Sequence, residues 1–155
     1  PTPRGSRPRN AAPPPDDARA ETARTDFCCL LRGQGLSLLS AELFTGRTHQ
    51  IRATLASVGY PVVGDKLYGV DDEIYLRFIA DELHEDDRQR LRLPRQALHA
   101  WTISLDGPPG PQEFRAPMPE DMRQFVIAAN MAPVQGAGAG NEADELFLAG
   151  GSALS

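Results

Sequence analysis

Apolar positions from Phe27 to Leu31 form one run, Gly33 and Gly35 break it, and a second run follows from Leu36 to Phe44. Two such runs around a short glycine-containing loop predict a β-hairpin. After Thr45 and Gly46 the period changes. Ile51, Leu55 and Val58 recur at i, i+4 and i+7, which predicts a helix with that face in the core. Thr48 is placed to cap its start, worth about 1 kcal/mol, and Gly59 with Pro61 beyond stops it near Val58. A loop from Tyr60 to Gly69 leads to a second amphipathic helix, Asp72 to Leu83, with Ile74, Phe78 and Ile79 inward. Its opening acids suit the positive end of the helix dipole. The basic stretch Arg88 to Arg95 then leads into a strand, Ala97 to Leu105. Pro108, Pro109 and Gly110 turn the chain into a return strand, Gln112 to Ala116, and a last helix starts at Pro119 and carries Met122, Phe125 and Val126. The sum is an α+β fold with a mostly antiparallel mixed sheet flanked by helices.

This pattern covers residues 23–130, enough for one domain with a core. Residues 1–22 are rich in Pro, Arg, Ala and Asp without apolar periodicity and read as a flexible leader. Residues 131–155, mostly Ala, Gly and Ser, read as a disordered tail. No apolar run approaches the length of a membrane span, and no secretory signal is visible; the two adjacent cysteines, unfit to bridge each other, make a reducing cytoplasm the expected compartment. Cys28 and Cys29 are neighbours on a strand and point to opposite faces, so they read as two small packed residues rather than a disulfide. The net charge of -5 argues against a generally basic surface, yet a local basic face suffices to hold phosphates. The acids cluster at Asp71–Glu73 and from Asp81 to Asp87, which reads as solvated surface.

The densest chemistry is Thr45-Gly46-Arg47-Thr48-His49-Gln50-Ile51-Arg52, a glycine turn and two arginines where strand becomes helix. His49 and Arg52, at i and i+3, share one side of that helix. Arg47 and the unpaired amides of the helix start offer a phosphate site; an ordinary polar helix face would show the same pattern. His49, His84 and His99 have no zinc-type spacing and no cysteine pair beside them, so no metal is expected. Trp101 and Tyr68 suit either the core or a cleft wall.

Residues Thr45–Arg52 resemble the third motif of the RluA-type RNA pseudouridine synthases. Gly59-Tyr-Pro-Val-Val-Gly-Asp-Lys-Leu-Tyr-Gly69 resembles the family's next segment, with Tyr60 where a histidine is usual. Arg95–Ala100 and Phe114–Pro119 resemble its two later strands, in the family's order. The resemblance implies the C-terminal portion of the pseudouridine synthase fold and isomerisation of uridine in ribosomal or transfer RNA, without metal or cofactor. It implies that Arg52 pairs with the catalytic aspartate, that Gly46, Arg47, Thr48, His49 and Gln50 shape the turn or face RNA, and that the target uridine is flipped out of its stack.

One departure bears on activity. The family's catalytic aspartate lies in a His-Arg-Leu-Asp motif followed by Thr-Ser-Gly, and no such run occurs in the 155 residues. Asp16, Asp17, Asp26 and Asp106 are no replacements, and Asp65 is expected to fix a turn. This chain alone is therefore expected to be inactive and to associate with a missing N-terminal half, whose absence exposes apolar surface and lowers solubility. A non-catalytic RNA- or protein-binding descendant is the alternative. An unrelated metal- or histidine-dependent hydrolase is a third reading.

Overall fold

The computed structural model describes residues 22–69 and 71–134. Among these the chain is α+β, with helices and small antiparallel sheets. It divides into two compact units, one of Leu43–Leu98 with the described residues up to Thr25, the other of Asp26–Glu42 with the residues from His99 onward.

The second unit is built on the expected hairpin. β1 (Thr25–Gly33) and β2 (Leu36–Leu43) are neighbours in a sheet, and Gln34 and Gly35 turn between them with φ of 49° and 71°. Leu30 and Leu31 are both buried. Successive strand residues face opposite ways, so β1 is covered on both faces at this point. Val126 completes the buried cluster, and Leu38, Trp101, Met118 and Met131 pack around it. Trp101 thus belongs to the core side of its two expected roles. β3 (Thr102–Leu105) and β4 (Gln112–Arg115) form a second antiparallel pair in which Ile103 faces Phe114. α4 (Glu120–Ala128) begins after Pro119 and buries Met122 and Val126.

Three expectations change here. The single mixed sheet is replaced, among the described residues, by two separate antiparallel sheets. The strand expected from Ala97 starts only at Thr102. The segment expected to be a tail from 131 contributes β5 (Ala132–Pro133), which pairs with Arg32 and Leu31 of β1. Gly33 lets that segment close in, because a Cβ there would lie 2.9 Å from the Asn130 carbonyl oxygen. The expected leader, apart from residue 22, and the tail beyond 134 lie outside the described residues.

The first unit holds three short helices, α1 (Gln50–Ser57), α2 (Asp72–Ile79) and α3 (Glu85–Leu91). Its buried apolar side chains are Ile74, Leu91 and Leu93. α2 ends at Ile79, short of Leu83, and Phe78, Ile79 and Val58 are exposed instead of buried. An eight-residue helix buries a narrow stripe, and Ile74 occupies it on α2. α3 replaces part of the basic connector. Its first turn is acidic, its last turn carries Arg88 and Arg90, and both charges agree with the helix dipole. Within the acidic cluster, Asp87 is buried rather than solvated. Arg77 grips it through Nε at 2.8 Å and Nη2 at 2.7 Å, and its Oδ2 accepts the His84 amide at 3.1 Å.

Candidate functional site

The glycine turn before α1 is held by one buried side chain. Gln50 Oε1 accepts the Thr45 hydroxyl at 2.8 Å and the Arg47 amide at 3.0 Å. Its Nε2 donates to the Arg24 carbonyl at 3.0 Å and to the Thr25 hydroxyl at 2.8 Å. An amide with both ends used in this way ties the turn to the start of β1, since each bond left unmade at a buried group costs about 1–3 kcal/mol. Gln50 is therefore the clamp of the turn, with no surface left to face a ligand.

The helix start also differs from the expected one. Thr48 is not its cap. The residue before α1 is His49, held at φ 57° without a side-chain cap. Such a left-handed turn costs a non-glycine residue about 1–2 kcal/mol, and it turns the imidazole toward Tyr68. His49 Nδ1 lies 3.3 Å from the Tyr68 hydroxyl, with the rings edge-on at 5.6 Å. The amides of Arg47 and Gln50 are already bonded within the turn, to Gln50 Oε1 and the Arg47 carbonyl, which narrows the expected amide cradle. Gly46, Arg47, Thr48 and His49 are exposed.

Arg52, on the first turns of α1, is half-buried and meets a carboxylate from this chain. Its Nε donates to Asp65 Oδ2 and its Nη2 to Asp65 Oδ1, both at 2.7 Å. Nη1 takes no part in this fork, and the guanidinium carbon sits 5.2 Å from the centre of the Tyr68 ring. Asp65 does fix a turn, as expected, because Oδ1 also accepts the amides of Leu67 and Tyr68 at 3.0 Å each. Its second role, as the partner of Arg52, was not visible in the sequence. Burial pushes the Asp65 carboxyl up, but the Arg52 hydrogen bond and the two amides outweigh it and hold the group below its ordinary range. The same bond raises Arg52 above the usual guanidinium value.

Glycines at either end make the Asp65 loop possible. Gly64 has φ 74°, and a Cβ there would lie 2.0 Å from the Arg95 carbonyl oxygen. A Cβ on Gly69 would lie 2.0 Å from the Asp65 carbonyl oxygen. Ala97 donates to the Val63 carbonyl at 2.7 Å, fastening the loop from outside. The backbone thus admits only glycine at both ends of Gly64–Gly69, and that fixes where Asp65 can point.

Among the described residues no cluster of three or more His, Cys, Asp or Glu could hold a metal ion, and no helix is long and apolar enough to cross a membrane. The site is a guanidinium oriented by a buried carboxylate, beside a tyrosine and a histidine at an exposed turn. Such an arrangement can hold a negatively charged group in a fixed orientation.

No family model matches the chain. The ribosomal large subunit pseudouridine synthase D of Nitrosomonas europaea is 40% identical over 113 residues, 72% of this chain and 30% of that protein. An uncharacterized RNA pseudouridine synthase of Chloroflexus aurantiacus is 41% identical over 107 residues, 68% of this chain and 28% of that protein. The chloroplastic RNA pseudouridine synthase 2 of Arabidopsis thaliana is 31% identical over 116 residues, 70% of this chain and 27% of that protein. By sequence the chain belongs with the RluA-type RNA pseudouridine synthases. It spans only 27 to 30% of the length of these relatives.

Proposed function

We propose that this chain is the C-terminal portion of an enzyme that isomerises uridine to pseudouridine in ribosomal or transfer RNA, in the cytoplasm and without metal or cofactor. The observation that carries the reading is the Arg52–Asp65 fork. Asp65 takes one edge of the guanidinium and leaves Nη1 to meet a second carboxylate, the catalytic aspartate, which a part of the enzyme beyond these 155 residues supplies. Arg52 keeps that aspartate ionised for its attack on the uridine and holds it in one orientation. The exposed Gly46, Arg47, Thr48 and His49 face the RNA backbone around the flipped nucleotide. The exposed side chains Ile103, Leu105 and Phe114 on the β3–β4 pair fit a fold completed by that further part.

The test is pseudouridine formation on an unmodified ribosomal or transfer RNA transcript, read by chemical tagging and primer extension. This chain alone is expected to form none. Joined to the His-Arg-Leu-Asp-bearing region of a relative it is expected to become active, and Arg52→Ala in that protein lowers the rate roughly a hundredfold or more. Pseudouridine made by the 155 residues alone would overturn the reading.

A further inference from the structure

In the first unit one side chain, Tyr68, touches both the Arg52 fork and the exposed turn. We propose that Tyr68 is a positioning residue with two separable tasks. Its hydroxyl makes His49 Nε2 a fixed donor for an oxygen of the RNA, and its ring braces the Arg52 guanidinium. This rests on the RNA-modifying function above and names a further residue for it.

The loop fixes the backbone of Tyr68 first. Its amide donates at 3.0 Å to Asp65 Oδ1, the oxygen that also accepts Arg52 Nη2 at 2.7 Å. Gly69 follows with no room for a Cβ against the Asp65 carbonyl oxygen, so the chain beyond Tyr68 is confined as well. From there the half-buried ring reaches the guanidinium, whose carbon lies over it at 5.2 Å from the centre. A cation within about 6 Å of a tyrosine ring centre is attracted by the negative face of the ring. The fork to Asp65 holds only the edge formed by Nε and Nη2, and the ring supplies a second support beside it.

The hydroxyl acts on the turn. It lies 3.3 Å from His49 Nδ1, with the two rings at 79°. A neutral imidazole carries its proton on one nitrogen and accepts on the other. With the Tyr68 O–H donating to Nδ1, the proton sits on Nε2. That nitrogen meets no partner among the described residues, and His49 is exposed. His99 differs, since its Nε2 is bonded to the Ala116 carbonyl at 3.0 Å. The φ of 57° at His49 is itself a strained backbone for a residue with a Cβ, of the kind that gathers at ligand clamps. Strain, one ring nitrogen tied within the fold and the other open to solvent together describe a histidine aimed at a ligand. A 3.3 Å separation is long for an O–H donor, as is common for site bonds that tighten once the ligand is in place.

The experiment titrates this chain with a fluorescein-labelled RNA stem-loop carrying an unpaired uridine, by anisotropy. It then measures kcat and KM after the chain is joined to the His-Arg-Leu-Asp-bearing region of a relative. His49→Ala is expected to weaken binding about fivefold, as loss of one hydrogen bond does. Tyr68→Phe keeps the ring; it is expected to weaken binding about threefold, to raise KM alike and to leave kcat within about twofold. In the His49→Ala background the same change has no further effect, whereas a hydroxyl with a merely structural role costs as much in either background. Tyr68→Leu removes the ring as well and lowers kcat about tenfold, with the urea midpoint kept. Parent-like affinity in Tyr68→Phe, or an equal loss in the His49→Ala background, overturns the task of the hydroxyl. Tyr68→Leu with the kcat of Tyr68→Phe overturns the task of the ring. A kcat that falls only in step with the urea midpoint also overturns it and leaves the ring a structural part. Failure of the unsubstituted chain to bind RNA overturns the RNA function together with both tasks.

Discussion

Arg52 and Asp65 stand thirteen residues apart in sequence and meet through two parallel hydrogen bonds of 2.7 Å, with the Asp65 side chain fully buried. The pair joins α1 to the glycine-bounded loop, so it sets the direction of the guanidinium before any ligand arrives.

Asp65→Ala leaves that guanidinium half-buried without a counter-charge, which costs about 3–5 kcal/mol. Asp65→Asn costs less, because an amide oxygen can still accept the amides of Leu67 and Tyr68. Urea denaturation measures both. An Asp65→Ala protein within about 0.5 kcal/mol of the parent would remove the pair from the fold's supports.

Gln50 allows a sharper dissection. Gln50→Glu keeps an acceptor for the Arg47 amide but loses the donors to the Arg24 carbonyl and the Thr25 hydroxyl, at a cost of about 1–3 kcal/mol. Gln50→Ala loses both ends. Amide exchange at Arg47 is expected to stay slow in the first variant and to accelerate in the second. Equal protection in both would mean that another group holds the turn.

The Arg77 hydrogen bond holds Asp87 down to about 2 from its ordinary 3.8. The folded-state pKa lies below the unfolded one, so the unfolded chain takes up the proton first as pH falls. The stabilisation is present in full above the unfolded value and is lost between 3.8 and about 2. Asp65 is depressed too and contributes with the same sign. Urea midpoints followed from neutral pH into this window should fall, and the fall should be shallower in Asp87→Asn. An unchanged slope in that variant would exclude the pair as a source of acid sensitivity.

Much of the fold was legible because local pattern decided it. The hairpin, the helix after the glycine turn, the strand at Gln112 and the helix after Pro119 all formed as their periods and breakers required. α3 escaped notice for a physical reason: Glu85–Leu91 has a single apolar residue, Leu91, and so no hydrophobic period. Its order comes from Asp87 bonding both the His84 amide and Arg77 on another helix, a relation set by tertiary packing. Val58, Phe78 and Ile79 were expected inside because a pattern marks a face without saying what lies opposite it. At the site, Arg52 and the turn residues could be named from sequence. The clamp by Gln50 and the fork to Asp65 could not, since a thirteen-residue separation carries no periodic signal.

β5 has a consequence for how this molecule meets others. In an antiparallel ladder, successive residues direct their N–H groups alternately toward and away from the partner strand. Val134 donates to the Leu30 carbonyl, so the outward-facing position beside it belongs to Pro133, which has no N–H. That rim of the sheet therefore lacks an outward donor at Pro133, while β2 forms the opposite edge of the sheet among the described residues. Among the described residues, an added strand would find the β5 rim one donor poorer than an all-amide edge.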